Sequence, residues 1–128
     1  RWLSTTGAAD RARLAALRDE LESGIVEAHP GARISGAGAP HGRLWNTSHL
    51  ALPGVESEAL LMMLSESGDG GVCASAGSAC SSGSLVDSDV TVDGAMAGRL
   101  RLSLSRLTTP DEARAGLAAI IACLDRLV

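Results

Sequence analysis

The sequence predicts an α+β domain, a small sheet with helices packed on one face. Three observations point there. Residues 10–28 repeat Leu14, Leu17, Leu21 and Ile25 at helical spacing, with Arg, Asp and Glu between them. Residues 99–106 alternate, with Leu100, Leu102 and Leu104 on one side and Arg99, Arg101, Ser103 and Ser105 on the other. A strand with one buried face requires that pattern. Thr109-Pro110-Asp111-Glu112 then reads as an N-cap, a proline at the first helical position and a capping box, ahead of a second apolar-periodic run.

Taken in order, the first helix spans Asp10 to Ala28 and stops at Pro30-Gly31. Ala32 to Ser35 is a short strand candidate, and Gly36 to Gly42 a loop. A lone Gly36-Ala37-Gly38 lacks the strand–turn–helix setting and third glycine of a dinucleotide fingerprint. Leu44 to Leu52 is a second strand, and Pro53-Gly54 a turn. Val55 to Leu64 is a helix whose Glu56 and Glu58 suit its positive end. Leu60, Met63 and Leu64 give it a buried side, with Met62 and Met63 as core fillers. A Gly-rich turn at 65–71 leads to a short strand at Val72 to Ala74, and Leu85 to Gly98 reads as irregular. The last helix buries Ala113, Leu117, Ile120, Ile121, Leu124 and Val128, with Cys123 packing at the side of that stripe.

A chain of 128 residues supports one domain, residues 1–128, with a modest core of Leu, Ala, Val and Ile, since its aromatics are two Trp. The net charge of −4 argues against a nucleic-acid footprint. No apolar run approaches the ~20 residues of a membrane span. No signal-peptide pattern is visible, although a chain starting at Arg1 does not show its native N-terminus. Three cysteines without framework spacing point to free thiols in a reducing compartment, and so to a cytoplasmic location.

The stretch with chemical content is Gly71 to Leu85, almost wholly Gly, Ser and Ala around Cys80. It has too little apolar area to pack a core, so Ser75 to Ser84 is expected to be a mobile loop. A thiol on a flexible tether suits chemistry that collects sulfur at one place and delivers it at another. A plain Gly/Ser connector with an incidental cysteine has the same composition.

The wording of the loop resembles one family. Gly77-Ser78-Ala79-Cys80, the hydroxyl residues after it and Ser84-Leu85 resemble the active-site loop of the NifS/IscS-like cysteine desulfurases. Arg101-Leu-Ser-Leu-Ser-Arg106-Leu-Thr-Thr109 resembles that family's Arg-x-Ser-Leu-Gly-Arg-x-Thr-Thr, with Ser105 where the family usually has Gly. Gly36-Ala-Gly38 and Pro53 to Leu61 extend the likeness over nearly the whole chain, but only to the family's C-terminal part. The segment from Leu85 to Arg101 is short by comparison and lacks the family's Leu-Glu-Pro-Ser-His start.

The resemblance implies the small C-terminal domain of a fold-type I enzyme that uses pyridoxal phosphate (PLP). It implies that the Cys80 thiolate attacks the sulfur of PLP-bound L-cysteine, forms a persulfide and releases L-alanine. A reactive thiol needs exposure, which such a loop supplies. The matching position for the substrate-carboxylate arginine is Arg101, whose guanidinium fork can hold a carboxylate through two parallel hydrogen bonds. Arg99 and Arg106 have weaker claims, Arg106 as a structural residue. The implied partners are a sulfur acceptor or iron–sulfur scaffold protein, the PLP-binding large domain, and a second copy in a homodimer.

All 11 basic residues are Arg. PLP is held as a Schiff base on Lys, which this chain cannot supply. The cofactor lysine is therefore expected upstream or on another chain, and the chain alone is expected to be inactive. A Cys73–Cys80 zinc site lacks Cys-x-x-Cys spacing, and Asp87, Asp89 and Asp93 lack the glycine and closing glutamate of a calcium loop. His29, His41 and His49 are scattered without metal spacing. Two other readings stay open: a stand-alone sulfur-carrier or docking module, and a class V aminotransferase domain in which Cys80 has no chemistry.

Overall fold

The computed structural model describes residues 2–39, 42–68, 72–76, 90–92 and 94–128. The elements run α1 (Trp2–Thr5), α2 (Gly7–Ala28), β1 (Arg33–Ile34), β2 (Thr47–Pro53), α3 (Ser57–Ser65), β3 (Val90–Val92), β4 (Ala95–Ser103) and α4 (Pro110–Leu127). The strands form one antiparallel sheet in the order β1-β2-β4-β3. Helices cover one face, so the expected α+β architecture holds.

The core lies between that face and the helices. Leu50 and Leu52 of β2 and Leu100 and Leu102 of β4 point into it, opposite Ile25 of α2, Leu60 and Leu64 of α3, and Ile120 and Leu124 of α4. Fully burying such a side chain stabilises the fold by about 1.5–3 kcal/mol. Gly24 of α2 leaves the space that Leu117 of α4 occupies, which lets the two long helices approach closely. A second cluster of Leu14, Leu17 and Ala113, flanked by Trp45 and Leu104, closes the far end.

The helix ends follow local chemistry. Thr109 Oγ1 accepts from Glu112 N at 3.2 Å while the Glu112 carboxylate accepts from Thr109 N at 2.8 Å, the reciprocal capping box. Glu56 caps α3, its carboxylate accepting from Glu58 N and Ala59 N. Arg13 of α2 forks onto the carbonyls of Arg106 and Thr108, both at 2.7 Å, and so fastens the turn between β4 and α4. In that turn Ser105 Oγ accepts from Leu107 N at 3.0 Å, a bond the glycine of the related pattern could not make.

Four expectations need correction. Val72 to Ala74 is not a strand; among the described residues of this segment only Ser75 makes a bridge to the sheet. Residues 85–98 are not wholly irregular, because Val90–Val92 pairs with Ala95–Ala97 across a turn in which Gly94 has φ of 81°. Glycine enters that left-handed region without the Cβ penalty. Met62 is 64% exposed rather than a core filler, since it lies on the outer side of a helix anchored by Leu60 and Leu64. Val128 is exposed because α4 ends at Leu127, which packs against the core instead, while Leu117 and Ile121 are only partly buried.

Candidate functional site

The sheet face turned away from the core is polar, and its residues fall in register. Arg101 on β4 pairs with His49 on β2. Ser35, just beyond β1, donates its backbone N–H to the His49 carbonyl at 2.9 Å. On the other side of β4, Ser75 and Arg101 exchange both backbone hydrogen bonds, at 3.1 and 2.6 Å. Ser35, His49, Arg101 and Ser75 therefore form one row across the sheet. Arg33, Ala51 and Arg99 form the next row. Directly opposed side chains on one face have Cβ atoms roughly 4.5–5.5 Å apart, so neighbours in a row can share a ligand.

Arg101 is half-buried, and among the described residues nothing hydrogen-bonds or ion-pairs with its guanidinium. Its strand is held on both sides, by β2 and by Ser75. A guanidinium fork on a backbone paired on both sides suits a carboxylate or phosphate anion.

His49 is held from the other side. Ser35 Oγ lies 2.8 Å from its Nδ1. Partial burial pushes the His49 pKa below the ordinary imidazole range, and the positive charges of Arg99 and Arg101 push it the same way. The ring is therefore neutral near pH 7. No catalytic role for His49 was legible in the chain. The alternation of Leu50 and Leu52 places His49 on the polar face, but only the register puts it opposite Arg101.

Cys80 lies outside the described residues, as do His41, Asp87, Asp89 and Asp93. Cys73 is exposed, in the segment that Ser75 joins to β4. Cys123 is buried in the core at 5% exposure and is a packing residue, as expected. His29 Nε2 lies 3.3 Å from the Pro53 carbonyl oxygen. Among the described residues no group of three His, Cys, Asp or Glu could hold a metal ion. The chain does not fit PLP as a covalently held group, because its 128 residues include no Lys.

A separate cavity of about 620 Å³ opens on the helical side of β4, lined by Leu21, Cys73, Leu102, Leu104, Glu112 and Gly116 among others. Leu102 points away from Arg101 along the strand, so this cavity and the polar row lie on opposite faces of the sheet. No helix of the described residues is long and apolar enough to cross a membrane.

No family model matches the chain. Curated relatives do. The chain is 41% identical over 111 residues to "Cysteine desulfurase 2" of Trichormus variabilis, covering 80% of this chain and 26% of that protein. It is 45% identical over 102 residues to "Cysteine desulfurase NifS" of Azotobacter vinelandii, covering 76% and 24%. A cysteine desulfurase of Rhodobacter capsulatus is 41% identical over 126 residues, covering 94% and 30%. The chain thus spans only 24–30% of the length of these relatives. In fold it is similar to a solved NifS-like protein from Rickettsia africae ESF-5, with a TM-score of 0.67 at 23% identity over 90% of this chain and 29% of that one.

Proposed function

We propose, for a chain that corresponds to the C-terminal part of a NifS-like cysteine desulfurase, that it supplies two groups to that enzyme: the sulfur-accepting thiol of Cys80 and the carboxylate-binding guanidinium of Arg101. The observation that carries this reading is the Ser75–Arg101 bridge. It fastens the chain beside Arg101 five residues ahead of Cys80. Five residues of extended chain span at most about 18 Å. A thiol at position 80 is thereby tethered within that distance of Ser75, beside whatever anion Arg101 holds.

Arg101 orients L-cysteine by its carboxylate, with the substrate sulfur presented to Cys80. As the S–S bond to Cys80 forms, the C–S bond of the substrate breaks. The electron pair left on carbon takes up a proton, and L-alanine departs. The balance closes without an added oxidant, since cysteine and the thiol become alanine and the persulfide. PLP would supply the electron sink for this chemistry from a Lys-bearing domain outside these 128 residues. The persulfide then passes to an acceptor such as an iron–sulfur scaffold protein, and the complete enzyme works as a homodimer in the cytoplasm.

Intact-mass measurement tests the assignment. The complete enzyme given L-cysteine should gain one sulfur on Cys80, removable by a reducing thiol. Cys80→Ser should keep substrate binding yet gain none, because a hydroxyl is a far weaker nucleophile than a thiolate. Wild-type sulfur loading on the Ser variant would refute the role of Cys80. Loading of the isolated chain only from an external persulfide donor, with the complete enzyme inert toward cysteine, would favour a stand-alone sulfur carrier.

A further inference from the structure

The geometry points to His49 as a second anchor for the substrate carboxylate, held in place by Ser35 and donating from Nε2 beside the Arg101 fork. The inference rests on the reading of Arg101 given above and extends it to a residue with no assigned role.

The placement comes from register. His49 and Arg101 are direct partners in an antiparallel pair, on the face away from the core. Ser35 Oγ sits 2.8 Å from Nδ1 and fixes the ring plane. With the Ser35 hydroxyl donating to Nδ1, the ring proton resides on Nε2. Among the described residues Nε2 has no hydrogen-bond partner.

The chemistry matches an anion with two oxygens. A carboxylate has about four lone-pair sites, and a guanidinium fork uses two of them. A neutral imidazole N–H beside the fork can take a third. A neutral donor is also compatible with two neighbouring guanidinium groups, Arg99 and Arg101, whereas an imidazolium would repel them. The row thus reads as one anion cradle running from Ser35, just beyond β1, across β2 and β4. It would discriminate in favour of amino acids carrying an α-carboxylate over amines without one.

Steady-state kinetics of the complete desulfurase separate this from a structural role. His49→Leu fills the space but has no donor, and should raise the KM for L-cysteine roughly tenfold, the worth of one charge-assisted hydrogen bond. His49→Gln places an amide N–H near the Nε2 position and should return KM to within about threefold of wild type on that basis. The inhibition constant of L-alanine should rise with KM, while that of cysteamine, which has no carboxylate, should stay unchanged. Should the Leu variant fail to fold, Ser35→Ala at its exposed position releases the ring and should raise KM by a few-fold. A folded His49→Leu enzyme, or in its place Ser35→Ala, with wild-type KM overturns the role of His49, and Arg101→Ala tells which reading fails. If Arg101→Ala raises KM, the Arg101 reading stands alone. If it too leaves KM unchanged, both fall.

Discussion

Arg101 on β4 faces His49 on β2 across an antiparallel pair, on the one side of the sheet that the helices leave polar. The pairing sets the position of the imidazole and adds to the causes that keep it neutral. Burial first, then Arg99 and Arg101, favour the neutral ring.

Stability should therefore depend on pH through His49. Its folded pKa lies below its unfolded value of about 6.5, so the unfolded chain binds the proton more readily. The stability gained from the neutral ring is fully present above pH 6.5 and is lost as pH falls through that value towards the lower folded pKa. Thermal unfolding between pH 7.5 and 5.5 should show Tm falling for the wild-type chain and falling less for His49→Asn. Equal pH slopes for the two would show that His49 does not contribute.

The local parts of this fold were legible and the pairings were not. Thr109 to Glu112 spelled out the start of α4, because a capping box is satisfied within four residues. The two faces of β4 followed from the alternation of Leu100 and Leu102 with Arg99 and Arg101. By contrast, Val90–Val92 is three residues long, too short for a periodic signal, and its partner lies across a glycine turn. Val72 to Ala74 has strand-like residues, yet among the described residues one bridge at Ser75 is all that joins it to β4. His49 carried no motif of its own. Its candidacy comes wholly from strand register, which depends on where distant residues align.

Arg101 should not be replaceable by Lys. An ammonium keeps the charge but loses the planar fork and one of its two parallel hydrogen bonds. In the complete enzyme Arg101→Lys should weaken L-cysteine binding by about tenfold, or about 1.4 kcal/mol, with folding intact because the residue faces away from the core. Wild-type affinity in the Lys variant would mean that charge alone, not the fork, holds the ligand.

Gly98 should be intolerant of any side chain. It stands in β4 on the core-facing side, opposite Leu52. A Cβ there would fall on the Val55 carbonyl oxygen and lie 3.2 Å from Ser57 Oγ. That same hydroxyl accepts from Arg99 N at 2.7 Å, so the turn before α3 cannot retreat without breaking a bond to the strand. Gly98→Ala should cost about 1–3 kcal/mol, the range for overpacking, in denaturant melts of the chain. A cost below about 0.5 kcal/mol, the level of a surface substitution, would show that the turn can move.

The loop between β1 and β2 should depend chiefly on the Arg43–Glu22 ion pair, with Asp19 a more distant 3.7 Å from Arg43. Arg43 places its two guanidinium nitrogens 2.7 and 2.8 Å from the two carboxylate oxygens of Glu22, which is buried within α2. The hydrogen bond to Glu22 is the main cause of a raised Arg43 pKa; burial opposes it, and the charges of Glu22 and Asp19 support it. Arg18 adds a 2.7 Å bond to the Leu44 carbonyl, so the pair sits where the loop is latched onto the helix. Removing the cation alone strands a buried carboxylate, and Arg43→Met should cost about 3 kcal/mol, the low end for a broken buried pair because Arg43 keeps some solvent contact. Glu22→Met combined with Arg43→Met replaces both charges by apolar side chains and should recover most of that loss. The comparison is a double-mutant cycle read by urea denaturation. A double variant no more stable than Arg43→Met would show that the loss came from packing of the arginine stem rather than from the uncompensated charge of Glu22.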